Sequence, residues 1–188
     1  PGSCVKLTSF PISGPGTTGI NALAVDKNGI LYAGDGTNAQ LYVYNPYTNV
    51  MQWKGRITEG PGGDMIFYKN KLLMAGRSGD IYEVNINNPP ASTVFMSVPG
   101  HVFYGLIAAP FDCDKNKYYG LKPVYNSSAT EMYELDLENK QLIGFVCELP
   151  FVVYDAGSDV DNGNTIGVTI DSILISPACG NNTTAGVK

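Results

Sequence analysis

The sequence predicts an all-β fold built from about four repeats of a four-stranded antiparallel unit, and three observations lead there. The 188 residues include 22 Gly, 12 Pro and 12 Tyr but only 15% charged side chains, against about 25% in ordinary globular chains. Turn-formers and aromatic strand-formers therefore outweigh the Lys, Glu and Ala that fill exposed helix faces. Short segments alternate apolar and polar residues, the period of a half-buried strand. The same phrases also recur: a short apolar stretch closing on glycine ends at Gly34, returns 42 residues later at Gly76, and returns after a further 44 at Gly120.

Each unit resolves into four strands. The first strand is NALAVDKNG at 21–29, DMIFYKN at 64–70 and GLIAAPFDCDKN at 105–116, each running into a turn that contains Lys and Asn. Asn28-Gly29 predicts a type I′ hairpin turn, because both residues tolerate positive φ. The second strand is ILYAG at 30–34, LLMAG at 72–76 and KYYG at 117–120. The third is LYVYNPYTN from Leu41, IYEVNINNP from Ile81 and MYELDLENK from Met132, each placing a tyrosine (Tyr42, Tyr82, Tyr133) after an apolar residue. The outer strand is VMQWKG at 50–55, STVFMSV at 92–98 and QLIGFVCEL at 141–149. The repeats span about 20–55, 63–98 and 104–149. Residues 151–178 supply a fourth, less regular unit, with CVKLTSF at 4–10 as its closing strand. Residues 4–179 form one domain, Pro-Gly-Ser at 1–3 reads as a cloning remnant, and 180–188 as a polar tail or linker.

Four-stranded units at this spacing are what β-propeller blades require, since radial repetition protects sheet edges. Phrases such as ALAVDKNGILYAG and LYVYNPYTN resemble the blades of NHL and gluconolactonase-type propellers over roughly residues 20–150. The resemblance implies a ring of blades, complete or partial. For the gluconolactonase type it also implies a metal held in the channel by Glu, Asn and Asp of the inner strands. The corresponding positions here are Ala22, Leu23, Ile66, Phe67, Leu106 and Ile107, all apolar. The metal set is therefore not carried over, and no catalytic residues are assigned.

The remaining chemistry is sparse. The four cysteines, Cys4, Cys113, Cys147 and Cys179, allow three pairings and include no C-x-x-C. The expected bridges are Cys4–Cys179, clasping the terminal strands, and Cys113–Cys147 within one repeat; four buried thiols are the other reading. Sequons at Asn126 and Asn182 agree with a secreted chain, although an Asn-rich sequence produces such triplets by chance. Asp155, Asp159, Asp161, Asn162 and Asn164 form a loop rich in hard oxygen donors, which suits calcium, but the EF-hand pattern is not met and a solvated acidic turn explains the same residues. Gly14–Gly19 matches G-x-G-x-x-G, yet a strand pattern follows it where a dinucleotide site needs a helix. The only histidine, His101, has no nucleophile motif beside it. The recurring tyrosines read as structural before they read as sugar platforms.

A net charge of -5 with only two arginines supplies no basic stripe for nucleic acid, and no apolar run approaches the ~20 residues of a spanning helix. The expected function is a secreted or cell-surface, non-enzymatic binding or adhesion module with a protein or glycan ligand. Two alternatives stand beside it: a calcium-dependent lactonase-type hydrolase, and a self-assembling structural extracellular domain.

Overall fold

The computed structural model describes residues 12–15, 19–112, 115–154 and 156–158. They form three blade-like antiparallel sheets, each a four-stranded meander in chain order. The first contains β2 (Ile20–Val25), β3 (Leu31–Asp35), β4 (Gln40–Asn45) and β5 (Val50–Arg56), and its outer edge receives a short parallel strand, β1 (Ile12–Ser13), in register with Met51 and Gln52. The second contains β6 (Pro61–Tyr68), β7 (Lys71–Gly76), β8 (Ile81–Val84) and β9 (Thr93–Met96), with a 3-10 turn at Pro89–Ala91 before β9. The third contains β10 (Gly105–Asp112), β11 (Lys115–Pro123), β12 (Thr130–Asp136) and β13 (Gln141–Leu149). The all-β, propeller-like architecture read from the repeats is thus present. The fourth unit and the strand at 4–10 lie, apart from residues 151–154 and 156–158, outside the described residues.

The turns show why the repeats share their phrases. Asn45, Asn85 and Asp136 each stand three residues after a repeat tyrosine. In each, the side-chain Oδ1 accepts hydrogen bonds from the backbone N–H groups two and three residues on: Tyr47 and Thr48, Asn87 and Asn88, Glu138 and Asn139. A short polar side chain that mimics a backbone turn is what a connection between third and fourth strands needs. The Asn28-Gly29 hairpin differs from expectation. Only Gly29 has positive φ (75°), and Asp26 caps the loop by accepting from the N–H groups of Asn28 and Ile30. This is a longer loop with a glycine bulge, not a two-residue type I′ turn. Two consecutive positive φ values occur instead at Lys69 (47°) and Asn70 (62°), joining β6 to β7.

The innermost strands β2, β6 and β10 pack side by side, with β6 in the middle. Alternation along β6 sends Met65 and Phe67 toward the first sheet, where they bury with Ala22, Ala24, Tyr32, Leu41 and Met74. Ile66 and Tyr68 turn toward the third, to meet Phe103, Leu106 and Leu135. The glycines closing the second strands permit close approach: a Cβ on Gly34 would stand 2.8 Å from the Met65 methyl, and one on Gly120 would stand 2.5 Å from the Phe103 ring. The repeat tyrosines are structural. Tyr42 is fully buried and its hydroxyl donates to the Pro15 carbonyl, Tyr82 packs on the first core, and Tyr133 packs on the second.

Candidate functional site

Where the inner strands of all three sheets begin, they leave a groove of about 510 Å³ lined by Asn21, Gly62, Gly63, Arg77, Val102, Tyr104 and Tyr154. That volume lies in the range of small-ligand sites. Its floor is the Pro61-Gly62-Gly63 start of β6, and both glycines are required by contact. A Cβ on Gly62 would sit 2.8 Å from the Gly76 carbonyl and 2.9 Å from the Arg77 backbone, while one on Gly63 would sit 2.3 Å from the Phe103 carbonyl and 2.5 Å from Tyr104 Cα. β6 is therefore pinched between the chain segments that carry Arg77 on one side and Tyr104 on the other. The Arg77 N–H donates to Gly60, the Tyr104 N–H donates to Leu121, and Asn21 Nδ2 donates to the Pro61 carbonyl at 3.1 Å, so each lining element is anchored by its backbone or its neighbour's.

Arg77 is exposed and makes no ion pair among the described residues. Tyr104 and Tyr154 face each other with ring centroids 6.3 Å apart at 34°, and Tyr154 is 73% exposed. No acidic side chain lines the groove among the described residues. Behind Val102, His101 stands edge-on to Tyr133 at 4.6 Å with Nδ1 3.0 Å from the Pro99 carbonyl. There Lys122 and the Tyr133 hydroxyl both donate to Glu131, which holds that carboxyl below its usual range. The single histidine is thus a packed loop residue. A second groove of about 390 Å³, between Tyr68 and the β11–β12 strands, has its charges largely matched within itself by the Lys69–Glu138 and Lys117–Glu134 pairs.

Sequence reasoning missed most of this site. Its signals were Pro61-Gly62-Gly63 and one of the two arginines, neither of which recurs in the other repeats. Beside the six apolar inner-strand positions, β6 carries Asp64, 1% exposed, whose Oδ1 accepts from Met65 N at 2.8 Å and from Leu23 N of the neighbouring sheet at 3.4 Å. Asp64 staples two inner strands. Of the sites read from sequence, Asn126 sits at an exposed turn with φ 57°, and Cys147 is buried on β13. Asp155, Asp159, Asp161, Asn162, Asn164, Asn182, Cys4, Cys113 and Cys179 lie outside the described residues. The G-x-G-x-x-G match precedes strand β2, and its Gly14, at φ 99°, packs on Trp53.

No family model matches the chain, and no curated protein sequence matches it either. Solved structures do. A structural genomics protein of unknown function from Bacteroides thetaiotaomicron is 15% identical with a TM-score of 0.52, the match covering 72% of this chain and 37% of that one. BamB from Moraxella catarrhalis is 12% identical with a TM-score of 0.42, over 68% of this chain and 36% of that one. The computationally designed Ika8 protein is 17% identical with a TM-score of 0.44, over 78% and 42%. The likeness is one of fold. The chain spans well under half the length of these structures.

Proposed function

We propose that this chain is a non-enzymatic binding module of a secreted or cell-surface protein, which takes a carboxylate-bearing glycan in the groove at the start of the inner strands. One observation carries the reading: in a chain of net charge -5, an arginine without an ion-pair partner among the described residues lines a groove free of acidic side chains and flanked by two tyrosine rings. A planar guanidinium fork matches a carboxylate in two parallel hydrogen bonds. Aromatic rings such as Tyr104 and Tyr154 offer a flat apolar face with a polar tip, which suits the C–H face of a pyranose. The Asn21 amide lies within the same lining.

Isothermal titration with a uronate oligosaccharide and its carboxyl-reduced counterpart tests this. Hydrogen bonds to a charged group contribute about 1.5–3 kcal/mol, so Arg77→Gln should weaken uronate binding by roughly 10- to 100-fold and leave the reduced sugar nearly unaffected. Tyr154→Ala should weaken both. No binding by either sugar, or binding indifferent to both substitutions, refutes the proposal.

A second reading, self-association, rests on its own observation. On β2, the innermost strand of the first sheet, Leu23 is 42% and Val25 54% exposed, whereas Ile66 and Leu106 on β6 and β10 are buried. Sedimentation velocity at micromolar concentration should then show a dimer that Leu23→Asp dissolves. The calcium-dependent lactonase-type reading depends on Asp155, Asp159, Asp161, Asn162 and Asn164, and a lactone panel with and without chelator tests it.

A further inference from the structure

The groove at the start of the inner strands has two chemically different ends, and β6 runs between them. Consecutive residues of a strand present opposite sides. Gly62 and Gly63 do so here: a Cβ on Gly62 would stand 2.9 Å from the Arg77 backbone, and one on Gly63 would stand 2.5 Å from Tyr104 Cα. Arg77 and Tyr104 therefore flank the strand from different sides, and the lining divides accordingly. Asn21 and Arg77 supply a polar end toward the first sheet, while Val102, Tyr104 and Tyr154 supply an apolar, aromatic end toward the third.

The polar end is fixed on two successive carbonyls of the chain entering β6. The Arg77 N–H donates to the Gly60 carbonyl at 3.2 Å, and Asn21 Nδ2 donates to that of Pro61 at 3.1 Å. The Arg77 side chain leans toward the first sheet: its Nε lies 3.7 Å from where a Cβ of Gly60 would stand, that point is 3.4 Å from the Gly36 carbonyl, and the Asn21 amide packs on Gly36. The bond to Pro61 also sets the sense of the Asn21 amide. Nδ2 is occupied by the carbonyl, so Oδ1 is presented as an acceptor. A carboxylate at this end meets the guanidinium fork, and Asn21 Oδ1 takes a hydroxyl of the same sugar.

The aromatic end lies further along β6. Tyr104 flanks Gly63, its N–H is held by the Leu121 carbonyl of the third sheet, and its ring faces that of Tyr154 at 6.3 Å. From Gly60 to Gly63 an extended chain covers about 10 Å, longer than one pyranose ring, and the lean of Arg77 toward Gly36 adds to the separation. The floor between the two ends is Gly62 and Gly63, which carry no side chains, and the groove volume of about 510 Å³ has room for more than one ring. We infer that the groove is divided into two subsites, one for a carboxylate at Arg77 and Asn21 and one for a pyranose face at Tyr104 and Tyr154, so that the smallest ligand filling it is an acidic disaccharide whose charged unit and stacked unit are different sugars. This rests on the carboxylate-glycan reading of the groove and adds the order of the units: charge toward the first sheet, stacked ring toward the third.

Heteronuclear NMR titration of the isotope-labelled chain tests this with glucuronate, a disaccharide of glucuronate linked to glucose, and the neutral glucosyl-glucose. Glucuronate should shift the Arg77 Nε–H and Asn21 amide resonances and leave the Tyr154 ring unmoved, whereas the acidic disaccharide should shift all of them and bind more tightly. Arg77→Gln should weaken glucuronate and the acidic disaccharide by the same factor, roughly 10- to 100-fold, and spare the neutral one. Tyr154→Ala should weaken both disaccharides roughly 2- to 10-fold and leave glucuronate unchanged, the two effects multiplying in the double variant. The division is overturned, with the carboxylate reading left standing, if Tyr154→Ala weakens glucuronate as much as the acidic disaccharide, if that disaccharide binds no more tightly than glucuronate, or if glucuronate alone leaves the Arg77 Nε–H unmoved. Failure of all the sugars to bind, or an acidic disaccharide indifferent to Arg77→Gln, overturns both.

Discussion

Substituting Gly63 by alanine tests the central feature of the groove, the pinch of β6 between its neighbours. The new methyl carbon would lie 2.3 Å from the Phe103 carbonyl oxygen and 2.5 and 2.6 Å from two backbone carbons of Tyr104. Non-bonded carbon contacts sit near 3.5–4.0 Å, so the strand and the 103–104 segment must separate by about 1 Å. Both are backbone, so no side-chain rotation relieves the clash. Overpacking of this kind costs about 1–3 kcal/mol, and the rigid partners put Gly63→Ala at the upper end, near 3 kcal/mol. For a chain of this size each kcal/mol lowers Tm by about 2–4 °C, giving a fall of about 6–12 °C. Thermal unfolding followed by circular dichroism, with urea titration beside it, reads this directly. Gly157→Ala is the control: nothing lies within 4 Å of its Cβ, and its stability should stay within ±0.5 kcal/mol. Gly36→Ala separates rigid from soft clashes, because the three atoms nearest its Cβ, the first at 2.5 Å, all belong to the Asn21 side chain, and it should cost under about 1 kcal/mol. A Gly63→Ala variant melting within 2 °C of the parent would refute the reasoning.

Other expectations follow from single contacts. Phe103→Ala removes a ring that is 1% exposed and packed on Gly120, and should cost about 3–5 kcal/mol in urea unfolding. Asn70→Gly relieves a positive φ of 62° in a two-residue hairpin turn and should stabilise by up to about 1 kcal/mol. The Tyr32 hydroxyl is pushed up to about 12, first by burial and then by the carboxylate of Asp26. Below pH 10 both folded and unfolded states keep this proton; above it the unfolded chain ionises first. Stability should therefore fall as pH rises from about 10 to 12, less steeply in Tyr32→Phe, as read by unfolding across that range. Glu131 behaves oppositely. Lys122 and Tyr133 hold its carboxyl below the ordinary value of 4.5, so its contribution is full above that pH and is lost in acid as pH falls through the depressed value. Glu131→Gln should flatten the acid limb of the stability curve.

The blades were legible because their cause is local. Alternation, the Gly34, Gly76 and Gly120 closures, and the tyrosines three residues ahead of Asn45, Asn85 and Asp136 all act within a few residues of chain. Each observed outer strand falls within two residues of its expected limits. The turn at Lys69-Asn70 falls where the sequence placed it, after the strand that begins at Asp64; its two positive φ values were not legible because neither residue is glycine, and there the tight β6–β7 pairing imposes the backbone. The groove was not legible. Asn21, Gly62, Arg77 and Tyr104 come together only through the packing of three sheets, and Gly62 and Gly63 matter for what their missing Cβ atoms would strike in other segments. Asp64 was overlooked for the same reason, since its partner Leu23 lies 41 residues away.

In a stack of repeats each unit touches only its neighbours, so stability is close to a sum of unit and nearest-interface terms, and end units can peel away singly. The groove breaks that rule, because its lining draws on the first sheet through Asn21, on the second through Gly62, Gly63 and Arg77, and on the third through Val102 and Tyr104. An occupant that touched all of them would tie the first and third sheets together across the second. The array would then lose its freedom to fray one sheet at a time, and would melt, or yield to a pulling force, as a single body.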